Sequence, residues 1–180
     1  HSNNERLRQV ANKLGNQLKK ILTITMVTCT SLIFFSTTKS AIAHHPMGAK
    51  MPVNLWEGLL SGMGHPIIGI DHLSFVVGVG LIAAGMSNRI SILASFIATA
   101  ILGTVIHILS IDLPLAEIAI AISVVVLGAM LALKQKLNTP LLIIFAAIAG
   151  IFHGYAYGEA IIGAEMTPLL AYLMGFTAIQ

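Results

Sequence analysis

An all-α polytopic membrane helix bundle with a broken first helix, after a cleavable signal peptide, is the fold class this sequence predicts, and three observations predict it. Of its 180 residues, 56% are hydrophobic and 9% are charged, against roughly 25% charged in an ordinary soluble domain. Seven of the ten Lys and Arg lie at or before Lys50, outside the apolar bulk. Beyond Lys50, the apolar residues fall into runs of about the length that spans a bilayer. A water-soluble globule is thereby excluded. The net charge of +3 reflects targeting and topology and gives no reason to expect a nucleic-acid partner.

The amino-terminal stretch carries Arg6, Arg8, Lys13, Lys19 and Lys20, then an apolar run from Ile21 to Phe35, then a polar stretch ending in Ala41-Ile42-Ala43. These are the three parts of a secretory signal with a small-x-small cleavage site. Residues 1–43 are therefore assigned as a signal peptide cleaved after Ala43, and residues 44–180 as a transmembrane permease domain. A retained anchor helix is disfavoured, because the run is shorter than the roughly 20 residues needed to span. Cys29 is the one cysteine and falls inside the removed segment, which leaves neither a disulfide nor a thiolate metal site. Any metal must be held by nitrogen and oxygen.

Apolar segments then run approximately over 56–86, 90–109, 113–133, 140–157 and from 167 onward. Each of the middle three has about the length of a spanning helix. The first is longer and contains His65, Pro66, Gly69 and Asp71, predicting a short leading or re-entrant helix, a break, and a full span from about Ile70. Broken backbone at membrane depth is tolerated where it faces protein or a water-filled cavity, so the break marks an inward-facing site. The sequence lacks an initial Met and stops inside an apolar run at Gln180, so five helices is a minimum and truncation at the C-terminus is compatible with the pattern. Gly58, Gly62, Gly78 and Gly128 lie within apolar segments, where small residues let helices approach closely.

Orientation follows from the remaining charges, because cytoplasmic loops collect Lys and Arg. With the mature terminus exported, Arg89 and then Lys134 and Lys136 fall inside, while Asp112, Glu159 and Glu165 fall outside without any basic residue. The expected location is a bacterial inner membrane, with multiple passes and the mature N-terminus outside. Asp112, two residues before Pro114, reads as a helix N-cap.

The densest chemical signal is His65-Pro66-Ile67-Ile68-Gly69-Ile70-Asp71-His72. A carboxylate at the centre of a spanning helix costs about 2.5–3.5 kcal/mol on insertion scales, so polar residues at depth ordinarily face a cavity and find partners. On an unbroken helix His65 and His72 would share a stripe but lie about 10.5 Å apart along the axis. The Pro66 and Gly69 break could swing His65 back toward Asp71 and His72, giving imidazole and carboxylate ligands of the kind that suit nickel, cobalt or zinc. Alternatively, Asp71 holds a histidine in an internal hydrogen bond that pins two helices. Three such groups within eight residues favour a ligand or transport path.

His107, His153 and Glu159 fall with them in the outer half or at the outer edge by this topology. His153, flanked by Gly154 and with Tyr157 one turn on, is the better further contributor. His107 reads first as a packing residue and Glu159 as a solvated turn residue. Cleavage after Ala43 would also leave His44 and His45 as the new terminus, where the amine, an amide nitrogen and the second imidazole could chelate square-planar nickel or copper. Solvated residues after a cleavage site are the equal alternative.

With these residues in view, the chain resembles the HupE/UreJ family of membrane proteins, associated with nickel- and cobalt-handling systems. The resemblance rests on the signal peptide, the start near His44-His45-Pro46-Met47-Gly48, the His65-Pro-x-x-Gly-x-Asp71-His72 motif and Phe152-His153-Gly154. It covers essentially all of the chain after Ala43. The wider nickel/cobalt permeases similarly carry a His and an Asp-His pair in an early helix, and the histidine at mature position two is similar to the terminal metal site of cobalt/nickel energy-coupling-factor permeases. The resemblance implies metal uptake, with Ni2+ or Co2+ as the transported ion.

The function expected is therefore a permease that captures a divalent metal outside and releases it inside. It is not expected to be an enzyme or to carry a catalytic cofactor. No phosphate-binding loop is present, so the chain would not itself use ATP. An inside-negative potential favours inflow of a doubly charged ion by about 4.6 kcal/mol per 100 mV. The expected partners are the divalent ion and the lipid bilayer, with a second copy of the chain or metalloenzyme maturation proteins as further candidates. Two competing readings are an intramembrane metal-dependent hydrolase, with Glu159 as a poor acid/base candidate, and a membrane accessory protein for hydrogenase or urease assembly.

Overall fold

A computed structural model describes residues 9, 12–17, 50–133 and 138–180. Most of the expected signal peptide, the Ala43 cleavage site, His44, His45, Lys134 and Lys136 lie outside the described residues. Residues 12–17 are helical. From residue 50 onward the described chain forms six helices: α1 Leu55–Ile68, α2 Ile70–Ala84, α3 Arg89–Ile108, α4 Ala116–Leu133, α5 Thr139–Glu159 and α6 Met166–Ile179.

The break in the first segment is where Pro66 and Gly69 place it. Asn54 caps α1, its side-chain oxygen accepting from Glu57 N at 2.9 Å while its amide donates to the Glu57 carboxylate at 2.8 Å, a reciprocal start of the capping-box kind. Pro66 lies in the last turn of α1, where its missing N–H weakens the helix. Gly69 then serves both helices: its N–H donates to His65 O at 3.1 Å, and its carbonyl accepts from Leu73 N at 2.8 Å. The two helix axes differ by 79° across it.

The helix α2 has 15 residues, about 22 Å of rise, short of a 30 Å hydrocarbon core. The expected full span from Ile70 is therefore corrected: only together are α1 and α2 long and apolar enough to cross, as one broken span or a re-entrant pair. By length and composition α3, α4 and α5 each can cross a membrane, and α6, an apolar helix of 14 residues, is shorter. Large apolar side chains such as Leu81, Ile90, Ile118, Ile122, Ile144 and Ile148 are exposed, as lipid-facing positions of spanning helices should be.

Two helix pairs organise the bundle. The most extensive packing joins α3 to α5, followed by α1 to α6. In the first pair a Cβ at Gly154 would collide with the Ala100 backbone, and one at Gly103 with the Ile151 carbonyl. The crossing is tight enough for Thr104 Oγ1 to donate to Gly154 O at 2.7 Å across it, the close approach that small residues allow in membranes. In the second pair Gly58 and Gly62 of α1 lie against the backbone of Pro168 and Tyr172, and Gly175 of α6 against Leu59 and Met63.

One apolar cluster, including Phe75, Val79, Ile92, Phe96, Leu127 and Leu142, fills the space among α2 to α5. A second, including Tyr157, Ile161, Tyr172 and Phe176, packs α6 onto α5. The expected N-cap at Asp112 is also corrected. The turn from α3 carries left-handed backbone at Ser110 (φ 57°) and Leu115 (φ 63°), and α4 begins only at Ala116. That turn is held by Leu113 N donating to the Tyr155 hydroxyl at 3.3 Å, which leaves Asp112 ahead of the helix.

Candidate metal centre

His65, His72 and His153 are each about 1% exposed or less, and they meet. The bend at Gly69 brings the rings of His65 and His72 to 5.5 Å between centroids, where a continuous helix would have kept them apart. The packing of α5 adds His153, whose ring centroid lies 5.0 Å from that of His72. Gly69 is part of the reason the rings fit, because a Cβ there would stand 2.6 Å from His72 Cδ2.

The hydrogen bonds form two short chains. His72 Nδ1 lies 2.8 Å from His153 Nδ1, and His153 Nε2 lies 3.0 Å from Ser123 Oγ, which donates to Ile120 O at 2.7 Å. His65 Nδ1 lies 3.0 Å from the Tyr172 hydroxyl, which donates to Tyr157 O at 2.7 Å. The Tyr157 ring stands edgewise to both, with centroids 5.1 Å from His65 and 4.8 Å from His72. Phe75 closes over His153 at 4.6 Å.

Asp71 follows His72's backbone rather than the buried cluster. Its Oδ1 accepts from His72 N at 2.9 Å, in the first turn of α2, where a carboxylate is favoured by the helix dipole. The same oxygen lies 4.0 Å from His72 Nε2, and the Asp71 side chain is 18% exposed. Asp71 and His72 line a cavity of about 230 Å³ together with His107, Glu117, Tyr155 and Glu159. These residues come from the starts of α2 and α4 and the ends of α3 and α5, so the cavity lies at one end of the bundle. His107 donates from Nδ1 to Tyr155 O at 2.7 Å and stacks on that ring at 4.1 Å.

The residues singled out from the sequence fall into two groups. His65, His72 and His153 form a buried cluster, while Asp71, His107 and Glu159 join His72 at the cavity. Among the described residues, no three His, Cys, Asp or Glu side chains are placed to hold one metal ion. The reason is visible at His72 and His153. Their Nδ1 atoms face one another across 2.8 Å, a separation that suits one shared proton, whereas a metal in line between two imidazoles needs about 4 Å at 2.0–2.1 Å per bond. The sequence reading missed Glu117, Ser123 and Tyr172. Ser123 carried a signal, as a lone hydroxyl in the run Ala119 to Val126; Glu117 was detectable only as a charge opening an apolar segment.

The family model HupE / UreJ protein matches residues 32–180, a span that includes both histidine motifs. The chain belongs to the HupE/UreJ family. Within it, the "Protein HupE" of Rhizobium leguminosarum bv. viciae is 32% identical over 140 residues, covering 77% of this chain and 70% of that protein. No solved structure matches the chain.

Proposed function

We propose that this HupE/UreJ chain is a membrane permease that takes up Ni2+ or Co2+ from the outer side of a bacterial inner membrane, without an ATPase of its own. One observation carries the reading. Asp71 and His72 stand where a carboxylate-lined cavity at the bundle end meets a buried histidine cluster. Polar groups at such depth ordinarily mark ion pathways. The cavity would gather the cation with Asp71, Glu117 and Glu159, and His72 would receive it, with His65 and His153 behind. Imidazole and carboxylate are donors that suit these ions. Passage inward would require the His72–His153 hydrogen bond to open, so the ion and the shared proton alternate between those rings. His44 and His45 would add an outer chelate if the mature chain begins at His44.

Uptake of labelled nickel and cobalt by cells carrying the native chain, Asp71→Asn or His72→Ala tests this. Uptake should fall to that of cells lacking the chain, and unchanged uptake at equal membrane levels would refute the permease.

A second reading, an accessory protein for metalloenzyme assembly, is favoured by the absence of a three-ligand set among the described residues and by histidines already hydrogen-bonded within the protein. In that case the same variants would leave uptake intact and lower hydrogenase or urease activity.

A further inference from the structure

We infer that Ser123, a residue outside the cavity lining, decides which nitrogen of His72 is presented for metal binding, acting through His153. The inference deepens the metal reading and rests on it for its functional consequence, but its structural half stands alone.

A backbone carbonyl can only accept, and the one Ser123 hydroxyl proton is assigned here to the shorter of its two contacts, Ile120 O at 2.7 Å. Toward His153 Nε2, at 3.0 Å, Ser123 Oγ can then only accept. His153 therefore carries its proton on Nε2, and in the neutral ring Nδ1 is the acceptor. The 2.8 Å contact between the two Nδ1 atoms needs one proton, and His72 must supply it. The Nδ1-protonated form of His72 follows, which makes Nε2 its lone-pair nitrogen, the one 4.0 Å from Asp71 Oδ1.

Ser123 is thus a positioning residue two rings away from the nitrogen it sets. Imidazole ligands generally donate their other N–H to a fixed acceptor, which sets tautomer and ring orientation. Here that acceptor is a second histidine, oriented in turn by a serine on a different helix. The rings themselves are held by Phe75, Phe96 and Tyr157, so removing the hydroxyl should change the protons before it changes the packing.

Ser123→Ala removes the acceptor for His153 Nε2–H. The buried donor would then be unsatisfied, and the pair can relieve this by reversing direction: His153 donates from Nδ1 to His72 Nδ1, and His72 carries its proton on Nε2. Nitrogen-15 NMR of the histidine rings in the full chain, reconstituted in lipid nanodiscs and held where both rings are neutral, reads this directly. The native protein should show His72 protonated at Nδ1 and His153 at Nε2. Ser123→Ala should move both protons to the opposite nitrogens, and Ser123→Thr, which keeps the hydroxyl, should restore the native pattern. Binding of Ni2+ alone should weaken about 10–100-fold in Ser123→Ala, the usual range for losing such a supporting partner, and recover in Ser123→Thr. A native His72 protonated at Nε2, or a pattern unmoved by Ser123→Ala, overturns the inference. If the proton shift occurs while the native chain binds neither Ni2+ nor Co2+, the relay stands and the metal reading fails.

Discussion

Replacing Gly69 by Ala tests whether the broken helix shapes the site or merely connects two helices. The backbone there is extended, with φ −72° and ψ 101°, which alanine adopts without strain, so the effect must come from the methyl group. That methyl would stand 2.6 Å from His72 Cδ2, 3.2 Å from Asp71 Oδ1 and 3.3 Å from His65 O. Restoring the first contact to 3.4 Å, the start of ordinary van der Waals distance, requires a shift of 0.8 Å. The His72 ring cannot turn away cheaply, since His65, His153 and Tyr157 surround it. A ring displacement of that size cannot leave the 2.8 Å Nδ1–Nδ1 contact at its length and angle, which a hydrogen bond holds within a few tenths of an ångström.

Overpacking of this kind costs about 1–3 kcal/mol, and each 1.4 kcal/mol is a factor of ten in an equilibrium constant. Thermal unfolding of purified protein in a fixed detergent, together with Ni2+ binding, should show Gly69→Ala impaired in both. Gly80→Ala is the control, because a Cβ at Gly80 meets nothing within 4 Å. It should be neutral or stabilised by up to about 1 kcal/mol, the helix preference of alanine over glycine. A Gly69→Ala protein indistinguishable from Gly80→Ala in stability and binding would refute the steric argument.

Two further outcomes follow from other parts of the bundle. Gly154→Leu should separate α3 from α5, since even a Cβ there collides with Ala100 backbone; a loss of more than about 3 kcal/mol, seen as failure to accumulate folded protein, is expected, and near-native thermal stability would count against the packing. Glu117→Gln removes one carboxylate charge from the cavity lining, so the metal concentration for half-maximal uptake should rise about two- to fivefold with the maximal rate unchanged. The difference should shrink as salt is raised, and a lowered maximal rate would instead place Glu117 in the transport step.

The positions of the helices were largely legible because hydrophobic length is a local property. The expected segments over 90–109, 113–133 and 140–157 correspond to α3, α4 and α5 within a few residues. The break at Gly69 was legible for the same reason, from Pro66 and Gly69 standing inside one apolar run. The length of α2 was misjudged because α1 takes up the first half of that run and turns through 79°. The Asp112 cap failed because two left-handed residues, Ser110 and Leu115, delay the next helix, and neither is a residue type that announces such backbone.

At the site, the sequence by itself determined that His65, Asp71, His72 and His153 would be held in an apolar setting, where polar side chains require partners. Which partners they find was decided only by tertiary structure. His72 meets His153 across 81 positions, His153 meets Ser123 across 30, and His65 meets Tyr172 across 107. Such pairings depend on which helix faces pack, and small residues at Gly103, Gly154, Gly58 and Gly62 set those faces through backbone proximity. A hydrophobic run records that a helix is buried in lipid or protein. It does not record its neighbour, because every apolar face is nearly equivalent to lipid, and only shape and a few hydrogen bonds distinguish one neighbour from another.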